Sequence, residues 1–598
     1  MSKSPIKGNP IFPKKKTLPN KRPMAMGKCP KFAPSASRSL KPRCSNWDVE
    51  GALRMLQNNL DDDIAVDWKQ LLVYGESGRV ARNWKEYHRI VAELKKLKPD
   101  QTLCIQSGKP VYIAQTHSEA PRVIIANSNL VPNHSTQKTF DQLDLMGLTM
   151  DGQMTPGSWS YTGPQGILHS TYETFNACAR KHFKASNLAG KWIFTAGLGH
   201  MGEAQPLAGT MNEACVLVAE VNAEEAQQQV NDGYLNWATD SLEQALGWID
   251  KGIREKKPVS VCIVDNAATV ASELLKRKRI PDIITDQTPA HNLMEYIPEG
   301  KSYKWNLWYR DKDPEDYLEL SKATLLKHAK ALMKFKKKGA VVFDYGNQLR
   351  EQAEYYGLSM RKKDGTFIYP GFVEEYIRPL FCEGIGPFRW TVLSGLKKDL
   401  LTIDKALINA FPKKYALKQW IVKAQYQVNI LGLPTRVCWL GYQDRTKMGL
   451  IINQLVKSGK LAAPIAIGRD HVDCGSIAAP SRETKGLIDG SDAVADWPLL
   501  NFSLNAVSGA SWVSFNQGIG TDTGNSFHTG MVIVADGSRD KEKRLNRVLT
   551  NDPGLGIARY ADAGYKAAKK FASINEVNIP KGEKKSFKDR IILHQKRI

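Results

Sequence analysis

The chain has 598 residues and carries 84 Lys and Arg against 61 Asp and Glu, a formal net charge of +23. At about 150 residues per domain, this length holds roughly two to four folding units with a sizeable core, and 42% hydrophobic with 24% charged residues is an ordinary globular mixture. No uninterrupted apolar run is long enough to span a bilayer, which excludes a helical membrane protein.

The positive charge is unevenly placed. Residues 1–47 hold twelve Lys or Arg and no acid, with Pro and Ser but no periodic apolar positions, so residues 1–46 are expected to form a disordered basic tail. A solvated arm is the plainest reading of it. A targeting segment is weaker, because no amphipathic helix is evident. A nucleic-acid arm is weaker still, because Phe12 and Phe32 make no stacking platform. Nine cysteines, with no CxxC pair and no zinc spacing, argue against a disulfide framework or a structural metal and for a reducing, cytoplasmic setting.

In chain order, Val49, Leu53, Leu56 and Leu60 have helical spacing and predict a helix over 49–60. Short strands are predicted at 102–105, 111–114 and 123–126, the last followed by the polar run Asn127, Ser128, Asn129. From about 160 to 370 strands and helices alternate: strands at 192–196, 215–220, 259–264 and 283–285, helices at 241–251 and 268–276, and a Lys-rich helix over 314–338. That is the βαβ rhythm of a parallel sheet. Beyond Pro370 the texture is mixed, with short apolar runs at 437–440 and 531–534. The longest charge-free stretch, 499–521, is full of Asn, Ser and Gly and reads as loops and short core strands.

The strand at 192–196 runs directly into Gly197, Leu198, Gly199, His200, Met201 and Gly202, a G-x-G-x-x-G in the register of a dinucleotide fingerprint. The first glycine makes the tight turn, the second lets backbone approach a pyrophosphate, and the third lets helix and strand pack closely. The following helix offers free N–H groups to phosphates. A second strand ends in Glu220, 21 residues beyond Gly199, where a carboxylate accepts bonds from ribose hydroxyls and repels a 2′-phosphate. NAD is therefore favoured over NADP. On these residues alone the next expectation is a hydride-transfer dehydrogenase.

Longer stretches redirect that expectation. They are ALRML at 52–56, VYG at 73–75 with ARNW at 81–84, QSGKP at 106–110, IANSNLVP at 125–132, GQMT at 152–155 with GSW at 157–159, and DQT at 286–288 with Ala290 and His291. FDYGN at 343–347, YIRPLFC at 376–382, GPFRW at 386–390, IGRDH at 467–471 and GSDAVADWPLL at 490–500 complete the set. From about Trp47 to Lys570 the chain resembles the urocanase (urocanate hydratase) family. The resemblance implies an α/β fold, with a Rossmann-like NAD-binding domain inserted into a larger mixed α/β core domain, and a homodimer. The expected boundaries are 1–46 for the tail, 47–161 and 372–585 for the two parts of the core, 162–371 for the NAD domain and 586–598 for a basic C-terminal tail. The implied chemistry is hydration of urocanate to imidazolonepropionate in histidine degradation. In it a tightly bound NAD⁺ serves as an electrophile toward the imidazole ring and is not consumed.

Residue by residue, the resemblance implies cofactor contacts from Gly75, Glu76, Gln153, Gly197, Gly199, His200, Met201, Gly202, Glu220, Asn266 and Ala267. It adds Gln287, Thr288, Pro289, Ala290, His291, Tyr296, Ile297, Tyr345 and Gly520. Cys438, in RVCWLG at 436–441, matches the family's active-site cysteine and is expected near the nicotinamide, although a cysteine in an apolar strand is ordinarily a small buried hydrophobe. Arg389, Arg482 and Arg378 are candidates for the substrate carboxylate. Asp470, His471 and Asp473 offer a carboxylate–imidazole set for proton transfer, and Tyr74 a hydroxyl for the ring or the water. For Arg378 and Asp473 an interior salt bridge is an equal alternative.

Departures from the family pattern gather at the site. Glu76 stands where a second glycine follows Gly75, His200 and Glu203 replace fingerprint glycines, and Glu225 replaces an arginine. Asp151 replaces an aromatic residue, and residues 516–524 replace a loop rich in His and Gly. Three readings stay open: hydration of urocanate, hydration of a substituted urocanate such as a thiourocanate, and a non-catalytic family member. A dehydrogenase ranks behind them.

Overall fold

The structure is a computed structural model and describes residues 27–75, 77–199, 201–518 and 526–580. Helix Trp47–Asn58 opens the regular structure; the Asn46 side chain caps it by accepting from Val49 N–H, and Val49, Leu53 and Leu56 are buried. Residues 27–46, expected to be disordered, instead run along the core without regular structure. The buried Arg54 requires acceptors there: its guanidinium donates to the Ser39 carbonyl at 2.8 Å, while Arg43 N–H donates to Glu50 at 2.8 Å.

Two sheets organise the molecule. The six-stranded sheet is parallel throughout, in the order Val341–Val342, Ile283–Ile284, Trp192–Ala196, Cys215–Glu220, Ser260–Val264, Trp237–Thr239. Trp192–Ala196 is buried at every position, and Cys215–Glu220 at all but the last, as continuous apolar strands covered on both faces must be. From Trp192–Ala196 the chain builds outward on one side and then returns to the other. The C-terminal end of that strand is therefore the topological switch point, where open α/β sheets bind ligands.

The other sheet is mixed. Its strands run Thr435–Leu440, Gly386–Val392, Ile465–Gly468, Phe527–Ala535, Trp512–Gln517, Val123–Asn127, Gln101–Gln106, Lys109–Gln115, with Ile477–Ala478 paired to Phe527–Ala535. Strands from before and after the parallel sheet thus share one core sheet, and Trp512–Gln517 and Val123–Asn127 join them in parallel. The charge-free stretch is not loop and strand alone. Residues Asp496–Ser508 form a helix ended by Gly509 at φ +96°, and its asparagines serve the interior: Asn501 and Asn505 both donate to Asp552 at 2.9 Å.

Asp552 belongs to a buried ionic network that anchors the turn after Ile465–Gly468. Arg469 grips both its oxygens, at 2.8 and 2.9 Å, and Arg445 grips both oxygens of Asp473, at 2.6 and 3.1 Å. Burial pushes the Asp552 carboxyl up, but Arg469 and then Arg445 outweigh it and hold it at about 2. The carboxylate therefore stabilises the fold above its usual pKa and loses that contribution only as pH falls toward 2. Asp552→Ala leaves buried guanidinium charge uncompensated and is expected to cost about 3–5 kcal/mol in denaturant unfolding at neutral pH.

Candidate functional site

Strand Trp192–Ala196 ends at Gly197, whose φ of +83° suits glycine. A Cβ on it would lie 2.6 Å from the Gln287 carbonyl oxygen, and a Cβ on Gly202 would collide with the Gly197 carbonyl. Gly199 differs: among the described residues a Cβ there meets nothing within 4 Å, and its backbone faces open space. Two glycines serve close packing and one leaves room for approach. Helix Ala204–Met211 begins directly after this loop. Glu220 accepts from Leu198 N–H at 2.8 Å and Asn222 N–H at 2.9 Å, which leaves carboxylate lone pairs for a ribose. Burial raises its pKa despite those backbone bonds.

The core sheet's side faces this loop. Tyr74, ending strand Leu72–Tyr74, donates its hydroxyl to Met201 Sδ at 3.4 Å and so spans the two halves. Burial pushes its pKa up to about 12, although Arg482 pulls it down. Gly75 follows at φ +63°, and any side chain on it would collide with the Gln153 carboxamide. Gln153 and Met154 are consecutive left-handed residues, at φ +31° and +61°. Gln153 Oε1 is buried with no partner among the described residues. A third wall comes from the loop after Ile283–Ile284. Thr288 Oγ1 donates to Asp286 at 2.7 Å, Asn347 to the Thr288 carbonyl at 2.8 Å, and Gln287 to the Tyr345 carbonyl at 2.9 Å. The Tyr345 ring stacks on Phe372, centroids 4.3 Å apart.

These walls enclose a cleft of about 1130 Å³. Of the residues singled out in the sequence, it is lined by Tyr74, Gly75, Gln153, Gly197, Gly199, Met201, Gly202, Glu220, Gln287, Thr288, Pro289, His291, Ile297, Tyr345 and Arg482. Asn266, Ala267 and Tyr296 line a small adjoining cavity that shares Gly197, Glu220 and Thr288. Ala290 is fully buried. Glu76, His200 and Gly520 lie outside the described residues.

Four of the expected site residues do not line the cleft. Cys438 is fully buried on strand Thr435–Leu440, opposite Phe388, and does not line the cleft; burial in this apolar strand raises its thiol pKa well above normal. Arg389 is not a cleft arginine: its guanidinium is ion-paired with Asp470 and packs against Gly166, and burial lowers its pKa to about 10. Asp470 is correspondingly occupied. His471 is fully buried, with both ring nitrogens hydrogen-bonded. Asp473 pairs with Arg445, the interior salt bridge expected as the alternative, whereas Arg378 donates to the Gly486 carbonyl at 3.1 Å and to the Lys485 carbonyl and forms no ion pair among the described residues.

Other lining residues carried no signal in the sequence. Arg79, ion-paired with Asp144, flanks one side with helix Gln137–Leu145, and Tyr303, Leu307 and Arg310 come from helix Tyr303–Lys312. Nothing in their spacing marks them. Asn347 was legible as part of FDYGN but passed over.

The cleft fits a dinucleotide on three observations: the open space beside Gly199, the ribose-ready carboxylate of Glu220, and the Gln153 oxygen that has no partner among the described residues. Of the acidic departures, Glu225 lines it and is linked through Gln229 to Glu203. Glu203 accepts from Gln229 at 3.2 Å, and Gln229 also bonds Glu225 at 2.8 Å. Burial first, and then Glu225 and Asp232, raise the Glu203 carboxyl to about 7 against the Gln229 bond.

Two outcomes follow. Gly199→Ala leaves the melting temperature unchanged but weakens dinucleotide binding at least about tenfold, whereas Gly202→Ala lowers the melting temperature as well, because its Cβ displaces backbone. Binding isotherms with thermal melts separate the two. Glu203 gains a charge as pH rises through about 7, so dinucleotide affinity is expected to fall from pH ~6 to ~8 and Glu203→Gln to flatten that fall. By the same sign, its contribution to stability is complete below its unfolded pKa and lost through about 7.

Among solved structures, the crystal structure of L-tryptophan dehydrogenase from Nostoc punctiforme is similar over 41% of this chain at 14% identity, with a TM-score of 0.15. The match covers 64% of that chain, less than two thirds of its length. Family models match almost end to end: the urocanase N-terminal domain over residues 35–160, the urocanase Rossmann-like domain over 163–376, and the urocanase C-terminal domain over 379–574. With three consecutive domains of one hydro-lyase family in order, and the cleft lying where the second meets the other two, the chain belongs to the urocanase family.

Proposed function

We propose that the protein adds water to urocanate, giving imidazolonepropionate, with a tightly held NAD⁺ that is not consumed. The carrying observation is the convergence of the fingerprint loop with Tyr74, Gln153 and Arg482 in one crevice. When bound, the oxidised nicotinamide supplies an electron-poor ring toward which the substrate's imidazole is activated.

The remaining tasks fall to the chain. Gly199 and Glu220 hold phosphate and ribose, and the Gln153 carboxamide meets a polar group of the ligand. Arg482 lies close enough to Tyr74 to lower its pKa and carries a fork suited to the substrate's carboxylate. Tyr74, protonated at neutral pH, holds or delivers a proton at its Oη beside the ring. The Arg389–Asp470 pair and Cys438 back the site rather than touch ligand. A cytoplasmic homodimer acting in histidine degradation completes the reading. Nine free cysteines support a reducing setting, and Val111, Tyr112 and Ile113, exposed on edge strand Lys109–Gln115, support self-association.

The second reading is a ring-substituted acrylate, prompted by the departure of residues 516–524 from the family's loop rich in His and Gly. Asn516 and Gln517 replace family histidines and turn inward: Asn516 donates to the Met154 carbonyl at 3.0 Å, and Gln517 accepts from Leu130 N–H at 2.5 Å.

Mixed with urocanate, purified protein is expected to bleach the acrylate's ultraviolet absorption without added NAD⁺ and without forming NADH. Arg482→Lys is expected to lower kcat/KM by about 10–100-fold, mainly through KM, since a point charge replaces a bidentate fork. Reaction with a thio-substituted acrylate alone moves the substrate to the second reading. Inertness toward a whole panel of imidazole acrylates contradicts both.

A further inference from the structure

Two buried imidazoles lie behind the cleft. His528, on strand Phe527–Ala535, and His471 approach Nδ1 to Nδ1 at 2.7 Å, and both are fully buried. His471 Nε2 lies 2.8 Å from Ser158 Oγ. Room for the His471 ring exists because residue 530 is glycine, since a Cβ there would strike Nε2. Ser158 Oγ also lies 3.1 Å from the Thr155 carbonyl and 2.8 Å from Ser160 Oγ. His528 Nε2 has no partner among the described residues.

Proton counting fixes the direction of these bonds. Burial lowers both imidazole pKa values, that of His528 to about 3, so each ring is neutral and carries one N–H. If His471 donated from Nδ1, Ser158 would have to turn its proton from the Thr155 carbonyl to His471 Nε2. His528 would then be left with a buried N–H that has no partner among the described residues. The opposite order satisfies every donor: His528 Nδ1–H to His471 Nδ1, His471 Nε2–H to Ser158 Oγ, and Ser158 Oγ–H to the Thr155 carbonyl. It leaves only a bare acceptor at His528 Nε2, the less costly orphan.

The chain ends on the turn that presents Gln153. Two consecutive left-handed non-glycine residues are unfavourable in themselves and persist only where neighbours over-determine them. Asp151 accepts from Gln153 N–H at 2.7 Å and Asn516 holds the Met154 carbonyl. Ser158 supplies the third restraint at the next residue, with its Oγ 3.1 Å from the Thr155 carbonyl and 3.5 Å from that of Met154.

We infer that His528 is a positioning residue. Through His471 and Ser158 it holds the Gln153–Met154 turn in place, and His471 is a link in that chain rather than a proton-transfer group. The inference rests on the proposed cofactor role of the cleft only for its functional consequence; the hydrogen-bond chain itself is independent of it.

Long-range ¹H–¹⁵N spectra of histidine-labelled protein, without ligand, should show His528 protonated at Nδ1 and His471 at Nε2, unchanged from about pH 6 to 9. His528→Phe is expected to speed hydrogen exchange across residues 151–158. It should also weaken NAD⁺ binding about tenfold, with an unshifted pH–rate profile. His528→Asn, which keeps an N–H near the Nδ1 position, should restore both within about threefold. The inference is overturned by a His471 proton at Nδ1, by a shifted pH profile in His528→Phe, by unaltered exchange in that variant, or by an Asn variant no better than Phe. If wild-type protein binds no NAD⁺, the functional proposal fails while the spectra and exchange still decide the chain.

Discussion

The site depends on backbone passing too close to its neighbours for side chains to fit. Gly197 meets Gln287 across the parallel sheet, Gly202 meets Gly197 within its own loop, and Gly75 meets the Gln153 carboxamide. The first joins two walls and the other two close a wall on itself, and together they leave a crevice at the switch point of the six-stranded sheet, with Gly199 beside it. A methyl group at the first two positions would displace main chain rather than a flexible side chain, so the cleft's shape is set by the absence of atoms.

Around that crevice, strain and charge are held from behind. The left-handed Gln153–Met154 turn is restrained by Asp151, Asn516 and Ser158, and the turn carrying Asp470 and His471 is fixed by Arg469 on Asp552. These groups are buried, and their polar atoms are largely committed to one another. The residues that line the cleft come instead from loops and strand ends: Tyr74, the fingerprint, the Gln287–His291 segment and Arg482. Rigid backing with loop-borne contacts is the usual division of labour in α/β enzymes. Here the motif residues Arg389 and His471 are buried behind the cleft.

Much of this was legible in the sequence where periodicity and backbone chemistry coincide. The strands Trp192–Ala196 and Cys215–Glu220 were predicted to the residue, because continuous apolar runs bounded by glycine and by a polar loop leave little latitude. The glycine fingerprint was read with its roles. What escaped was tertiary. Helix Asp496–Ser508 looked like loop because its asparagines, poor helix formers, bond the buried Asp552 rather than solvent. Residues 27–46 looked disordered because their order comes from partners on helix Trp47–Asn58. Arg389 looked like a ligand arginine because its partner Asp470 lies 81 residues away, on the turn after strand Ile465–Gly468. Helices Gln137–Leu145 and Tyr303–Lys312 flank the cleft by packing alone, which no local pattern records.

The account stands on an oxidised dinucleotide residing in this crevice. Mass spectrometry of small molecules released by denaturing the freshly purified protein tests it most directly. About one NAD⁺ per chain, undiminished and still oxidised after many turnovers, is the result the account predicts. Protein that carries no dinucleotide and takes none up, or one that returns NADH in proportion to product, would contradict it.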